Sequence, residues 1–166
     1  MAESAEAIVY VVDASSWISI EGNPAANKIL YSLSSMVDRG VIKCPREVAD
    51  ELKHCEYVKG WLHLRRKEIV HNIRQKIEYL QLIGQVAISF PAMSGVRSMR
   101  NKADPYVVAY AAYRTRTTNP TKFVVVCDET LKNRPNRKIP TACEAFGVEC
   151  ITLMETLSRE FPDEAW

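Results

Sequence analysis

Two short, mostly apolar runs constrain the fold of this chain most strongly: IVYVV at positions 8–12 and KFVVVC at positions 122–127. Most of their residues are β-branched, and polar residues do not alternate with the apolar ones. This pattern is typical of strands that are buried on both faces of a parallel sheet. Because parallel strands need crossover connections, helices are expected between them. The two runs therefore predict an α/β fold.

The rest of the chain alternates helical and strand-like segments around these two runs. The order β-α-β-α-α-α-β-α-β-α predicts a three-layer α/β/α sandwich with a central parallel sheet and a helical insert in the middle. Further strands are predicted at 41–44 and 148–153, and helices at 23–40, 45–55, 61–84, 103–116, 139–147 and 154–161. The segment 61–84 fits one or two helices that end near Gly84. A length of 166 residues suits one core, so residues 1–166 are expected to form a single domain.

Composition excludes several classes of protein. The formal net charge is only +2, from 22 basic and 20 acidic residues, so no global field marks a nucleic-acid or membrane binder. No apolar run is long enough to span a membrane, and the opening MAESAEA lacks the pattern of a signal peptide. A cytoplasmic protein without a membrane partner is expected. Five cysteines without a CxxC pair favour reduced thiols over a disulfide framework or a zinc site.

Acidic residues directly follow the two buried runs. Asp13 comes after the first run, and Asp128 and Glu129 come after the second. In open parallel α/β sheets, ligands bind in the crevice outside the carboxyl ends of the strands. If the two strands are neighbours, two acidic positions face one crevice.

Further acids lie at predicted helix ends. Asp104 precedes Pro105 at the start of a predicted helix, and Glu47 and Glu51 are four residues apart on another, so they share one helical face. Acids that crowd together raise one another's pKa unless a divalent cation neutralises them. Oxygen ligands without a nearby His or Cys pair favour Mg²⁺ or Mn²⁺ over zinc.

Each acid also has a purely structural interpretation. Asp104 before a proline is typical of a helix N-cap, and Asp13 in the sequence DAS could cap the next helix. Glu47 and Glu51 could be solvated acids favoured by the helix dipole. Asp128 and Glu129 could form a polar turn after a strand. The order of the acids along the chain favours a shared site over these separate explanations.

Four motifs in order, VVDASSWI, PREVADEL, KADPYVVAYA and VVVCDET, resemble the PIN domain, a family of metal-dependent ribonucleases. The tail KIPTACEAFGVECITLMETL is similar to a toxin-type bacterial and archaeal branch of that family, long catalogued as a domain of unknown function. The resemblance implies that Asp13, Glu51 and Asp104 coordinate metal. Ser15 matches the small hydroxyl residue two positions after the first acid and is expected to contact substrate.

The fourth acid departs from the commoner family pattern, which has a threonine, one spacer and then an acid. Cys127 occupies the threonine position here. By that register Glu129 is the fourth acid, whereas adjacency to the strand favours Asp128. The register slightly favours Glu129, with Asp128 instead capping or turning the following loop.

Basic residues flank two of the proposed metal acids. Arg100 and Lys102 lead into Asp104, and Arg137 and Lys138 follow the fourth acid. A charge run is usually a solvated surface, but cations beside a metal site can also orient a phosphate backbone. We therefore predict that these four residues bind substrate.

The predicted function is Mg²⁺- or Mn²⁺-dependent hydrolysis of RNA phosphodiester bonds. The resemblance implies a ribonuclease toxin, with RNA, an antitoxin protein and a second copy of the chain as expected partners. A PIN-like module that binds nucleic acid or protein without catalysis remains an alternative. A phosphatase or phospho-acceptor domain is disfavoured, because the haloacid-dehalogenase pattern requires a second aspartate where Ser15 stands.

Overall fold

The computed structural model describes residues 7–93, 102–129 and 139–166. Five parallel strands form one sheet in the order β3-β2-β1-β4-β5. The strands are β1 Ile8–Val12, β2 Ile42–Pro45, β3 Val70–His71, β4 Lys122–Val126 and β5 Cys150–Ile151. The predicted α/β fold with a central parallel sheet is confirmed.

Nine helices connect or flank these strands within the described residues. They are α1 Ala14–Ile20, α2 Ala26–Asp38, α3 Arg46–Glu51, α4 Glu56–Leu64, α5 Arg66–Ile69, α6 Ile77–Ser89, α7 Asp104–Thr117, α8 Ile139–Ala145 and α9 Leu153–Glu160. The segment from α4 to α6 corresponds to the predicted helical insert.

The centre of the sheet is the pair β1 and β4, whose five residues align from Ile8 with Lys122 to Val12 with Val126. Helices pack against both faces of this pair. Tyr10 donates a hydrogen bond to Glu160 of α9 at 2.7 Å on one face. Phe123, at a register position of opposite parity, contacts the Tyr110 ring of α7 with centroids 6.2 Å apart. The arrangement is compatible with the predicted three-layer α/β/α sandwich.

Two short elements were missed in the predicted order. Helix α1 begins immediately after β1, and its Trp17 and Ile20 are fully buried, so tertiary packing stabilises a segment of weak helical periodicity. Strand β3 has two residues, and among the described strands it pairs with the end of β2 alone. Helix α6 also continues to Ser89, beyond the predicted end near Gly84, because a mid-helix glycine is tolerated where the opposite face packs.

The first long helix, α2, begins later than predicted. The side chain of Asn23 accepts a hydrogen bond from the Ala25 amide at 2.8 Å, which makes a local turn rather than a helix cap. The predicted end is confirmed: Gly40 has φ +75°, and its amide donates to the Val37 carbonyl at 2.8 Å.

No helix in the three described ranges is both long and apolar enough to cross a membrane.

Candidate metal site at the carboxyl ends of β1 and β4

The topology places a crevice between β1 and β4. From β1 the chain builds β2 and β3 on one side, and it then returns to build β4 and β5 on the other. Such a switch point opens a crevice at the carboxyl ends of the two central strands. The Asp13 amide donates to the Val126 carbonyl at 2.9 Å, so the ends of the two strands stay level.

Asp13 lies at the floor of this crevice with 2% of its surface exposed. Its Oδ2 accepts hydrogen bonds from the Ser15 amide at 3.0 Å and from the Ser15 hydroxyl at 2.7 Å, so it is the N-cap of α1. Its Oδ1 is buried and has no hydrogen-bond partner among the described residues. The capping interpretation is therefore correct for one oxygen, while the second oxygen is buried without a partner among the described residues.

Ser15 joins the ends of the two strands. Its hydroxyl donates to Asp13 and accepts from the Asp128 amide at 3.1 Å, and it lies 3.5 Å from Cys127 Sγ. These bonds fix the carboxylate of Asp13. The predicted contact of Ser15 with substrate stays a prediction.

Asp128 and Glu129 diverge after β4. Asp128 accepts hydrogen bonds from the Ser19 hydroxyl and from the Leu153 amide, both at 3.2 Å, so it ties α1 to the start of α9. Glu129 accepts from the Ile139 amide at 3.2 Å, and its charge acts on Asp13. Glu129 thus shares the crevice with Asp13. Asp128 was expected to cap the following loop, but residues 130–138 lie outside the described part.

Glu51 and Asp104 complete the group from two further helices. Glu51, the last residue of α3, accepts a hydrogen bond from the Ala103 amide at 2.6 Å. This bond holds α3 against the start of α7, where Asp104 is the first helical residue and Ala103 occupies the N-cap position. The interpretation of Asp104 as the N-cap is therefore wrong.

The electrostatics of the crevice show that the four acids interact. Burial raises the pKa of Asp13 to about 6, against the lowering effect of its bonds to Ser15. Burial also raises the pKa of Asp104 to about 8, and the neighbouring carboxylates that add to this rise are those of Asp13, Glu129 and Glu51. The pKa of Glu51 is also raised, because burial outweighs the lowering effect of the bond from Ala103. We call these four residues the acid cluster.

The side chains of the acid cluster are of the type that binds a hard divalent cation. As placed, however, they are not spaced to coordinate one. All four donors are carboxylates, and a buried unpaired Asp13 oxygen is a costly feature that a cation would satisfy. As placed, however, no group of three or more His, Cys, Asp or Glu residues in the described ranges is arranged to hold a metal ion. Glu51 and Glu129 bond to backbone amides instead, so their side chains would have to turn to coordinate an ion.

Of the four predicted substrate-binding cations, only Lys102 lies within the described ranges. Lys102 is exposed, and its charge lowers the pKa of both Glu51 and Asp104, so it borders the acid cluster. Arg100, Arg137 and Lys138 lie outside the described residues. Glu47, which shares a helix with Glu51, pairs with Arg74 instead of joining the acid cluster.

A groove of about 780 Å³ adjoins the acid cluster at Glu51. Its lining also includes Lys102, which the sequence indicated, and Arg74 and Tyr106, which sequence reasoning missed. Arg74 lies in a generally basic segment with no motif around it. Tyr106 lies two residues after Asp104, and that proximity was the only signal for it in the sequence.

A family model described as "Domain of unknown function (DUF4411)" matches residues 10–161. The identification as a PIN domain is therefore wrong: the matching model is that of the domain of unknown function, and no PIN model matches. Comparisons with curated proteins and with solved structures give no match.

Proposed function

This chain belongs to the DUF4411 family, a domain of unknown function, and we propose that it is a divalent-metal-dependent hydrolase of phosphodiester bonds in RNA. The observation that supports this most is the buried Oδ1 of Asp13 at the switch point of the sheet, which has no hydrogen-bond partner in the described part of the chain. Three more carboxylates come from other elements, and the charges of Asp13, Glu129 and Glu51 add to the raised pKa of Asp104. A ligand that is positively charged and hard is the simplest partner for such a group.

Asp13, Glu51, Asp104 and Glu129 would hold Mg²⁺ or Mn²⁺. When bound, such an ion supplies a water of lowered pKa and neutralises charge on the phosphoryl oxygens. Ser15 keeps Asp13 oriented, since it donates both its amide and its hydroxyl to the same carboxylate oxygen. This prior orientation avoids a cost that a mobile carboxylate would incur on binding.

A phosphodiester substrate is supported by the cations beside the acid cluster. Lys102 borders Glu51 and Asp104, and the adjoining groove also contains Lys53 and Arg74. A polyanion can approach four carboxylates only where cations offset the repulsion. We therefore place the RNA backbone along this groove, with the reacting phosphate at the acid cluster.

The proposal is tested by cleavage of an end-labelled single-stranded oligoribonucleotide with Mg²⁺, with Mn²⁺ and without metal. We expect Asp13→Asn to reduce the rate by at least about a hundredfold, because changes in the second shell of metal sites alone cost about 10- to 100-fold. The matched control is Glu149→Gln, which also removes one carboxylate but pairs with Lys122 and Arg159 at the other edge of the sheet. The control should cleave like the wild type.

If Asp13→Asn cleaves as fast as the wild type, the site is wrong. If the folded wild type cleaves nothing with any divalent ion, the second candidate is favoured: a module that binds nucleic acid or protein without catalysis. The specific observation in favour of that candidate is that the acids, as placed within the described residues, do not close around a metal. The roles of toxin, antitoxin partner and homodimer depended on the PIN resemblance and stay predictions.

A further inference from the structure

The groove beside the acid cluster has walls from four parts of the chain, one of which is α1 with Ile18. Glu47 and Glu51 lie on α3, Tyr106 lies in the first turn of α7, and Arg74 lies between β3 and α6. Glu51 belongs to both the groove and the acid cluster. The distance along α3 from Glu51 to Glu47 is about 6 Å, because an α-helix rises 1.5 Å per residue. A short piece of extended strand would therefore reach from the acid cluster to Arg74.

Arg74 is held in position by three neighbours. Its amide donates to the side chain of Asn72 at 3.3 Å, which fixes the turn before α6. Its Nε donates to Glu47 Oε1 at 2.7 Å. Its guanidinium carbon lies 5.5 Å from the centroid of the Tyr106 ring. A guanidinium group fixed in this way has lost most of its conformational freedom before any ligand arrives.

The Arg74 side chain stays accessible to solvent although its Nε and Nη2 both contact Glu47. Its side chain is 54% exposed, whereas the Glu47 side chain is 14% exposed. The arginine is therefore the exposed partner of this ion pair, and part of its guanidinium group can be reached by a ligand. Arginine combines a planar fork, which matches phosphate geometry, with stacking on aromatic faces.

Two further cations line the same groove. Lys53 and Lys102 form no hydrogen bond or ion pair with other residues of the described ranges, and both are exposed. The groove thus offers one positioned guanidinium group, two exposed ammonium groups and one aromatic ring, beside the carboxylates of Glu47, Asp50 and Glu51. Proteins that bind single-stranded nucleic acids combine these features, with cations along the backbone and aromatic rings against bases.

We propose that Arg74 binds a backbone phosphate next to the reacting one, and that Tyr106 stacks on a base of the same single strand. The proposal rests on the proposed function for the position of the reacting phosphate. Arg74 and Tyr106 are then binding residues that select unpaired RNA, because a base in a duplex cannot lie against the tyrosine ring. Glu47 is a positioning residue that orients Arg74.

The test measures binding apart from cleavage, using fluorescence anisotropy of a labelled single-stranded oligoribonucleotide with Mg²⁺ in the Asp13→Asn background. We expect Arg74→Ala and Tyr106→Leu each to weaken binding at least about tenfold, and Tyr106→Phe to bind as well as tyrosine, because stacking needs only the ring. Arg116→Ala is the matched control, since Arg116 is an exposed arginine of α7 outside this groove. It should not change the affinity.

Salt dependence separates the two roles. Arg74→Ala should reduce the slope of log affinity against log salt by about 0.7, the value for one lost phosphate contact on a single strand. Tyr106→Leu should weaken binding without changing the slope. Glu47→Gln should weaken binding less than Arg74→Ala, because the guanidinium group remains but is less well oriented.

Equal binding by Arg74→Ala, Tyr106→Leu and Arg116→Ala would overturn the assignment of the groove. A duplex of the same sequence that binds as tightly as the single strand would overturn the selection of unpaired RNA. Failure of the proposed function looks different, because an inactive wild type that still shows these binding differences retains the groove and loses only the hydrolysis.

Discussion

Acidic residues at the two ends of the parallel strands have opposite pKa shifts. At the amino-terminal edge, Glu149 precedes β5 and forms ion pairs with Lys122 at 2.6 Å and with Arg159 at 2.7 Å. The hydrogen bond from Lys122 and that from Arg159 lower its pKa. At the carboxyl-terminal edge, burial raises the pKa of Asp13 to about 6 and that of Asp104 to about 8.

The difference shows that the fold can neutralise an acid with two cations where the acid has a structural role. In the acid cluster, Lys102 is the described cation that acts on Glu51 and Asp104, and four carboxylates share the space. Like charges in a buried space cost free energy when they are ionised. That cost is expected where a site is preserved for a ligand, which is the basis of the predictions below.

The largest expected effect separates the two acids that follow β4. Glu129→Gln should weaken Mn²⁺ binding and slow cleavage by at least about tenfold, because it removes one charge from the acid cluster and changes outside the metal ligands alone cost about 10- to 100-fold. Asp128→Asn should change cleavage much less and lower the melting temperature, since Asp128 bonds to Ser19 and Leu153. Cleavage rates and melting curves of both variants measure this. The assignment is reversed if only Asp128→Asn loses activity.

The next largest effect is on the pH dependence of the free energy of unfolding. In the metal-free protein, Asp104 has a pKa of about 8 instead of its ordinary 3.8, so the native state binds more protons than the unfolded state between these values. The free energy of unfolding should therefore fall as pH rises from about 4 to about 8. Asp104→Asn should remove much of this fall and stabilise the metal-free protein at pH 8 by on the order of 1–3 kcal/mol.

Urea unfolding at several pH values in the presence of a chelator measures the effect of Asp104→Asn. At about pH 3, below the ordinary pKa of 3.8, the variant and the wild type should have similar stability, since Asp104 is then largely protonated in both the native and the unfolded wild type. A wild type whose stability rises with pH over this range would show that the acids are not crowded.

The smallest effect is expected at the opposite edge, with the opposite sign. The pKa of Glu149 is lowered, so its contribution to stability is present at neutral pH and is lost as pH falls through the lowered value. Glu149→Gln should therefore destabilise the protein at pH 7 by less than about 1 kcal/mol, because its ion pairs are partly exposed. Stabilisation by this variant would remove the contrast between the two edges.

The central strands could be predicted because a continuous apolar run identifies each of them without knowledge of its neighbours in the fold. Tyr10, Val11 and Val12 of β1 are fully buried, and the register with β4 continues along the whole strand. Helix α1 and strand β3 could not be predicted, because they are short and depend on distant contacts. The Trp17 ring of α1, for example, contacts the Trp61 ring of α4 with centroids 5.8 Å apart.

Members of the acid cluster could be predicted where they directly follow a predicted strand or begin a predicted helix. Asp13 and Glu129 follow buried strands, and Asp104 begins a helix. Arg74 was not predictable, because its partner Glu47 is 27 residues away and no local pattern links them. The predicted family was also wrong. The four motifs that contain the acids are short, and the chain matches the model of a domain of unknown function rather than a PIN model.

The central claim is that the acid cluster binds a divalent metal ion, and isothermal titration of the metal-free protein with Mn²⁺ at pH 7.5 tests it most directly. We predict one saturable binding process with release of protons, because Asp104, with a pKa of about 8, is largely protonated before the ion arrives. Two buffers of different ionisation enthalpy measure that release. Asp13→Asn should weaken the binding strongly, whereas Glu149→Gln should bind like the wild type. No saturable Mn²⁺ binding by the folded wild type, or equal binding by Asp13→Asn, would contradict the account.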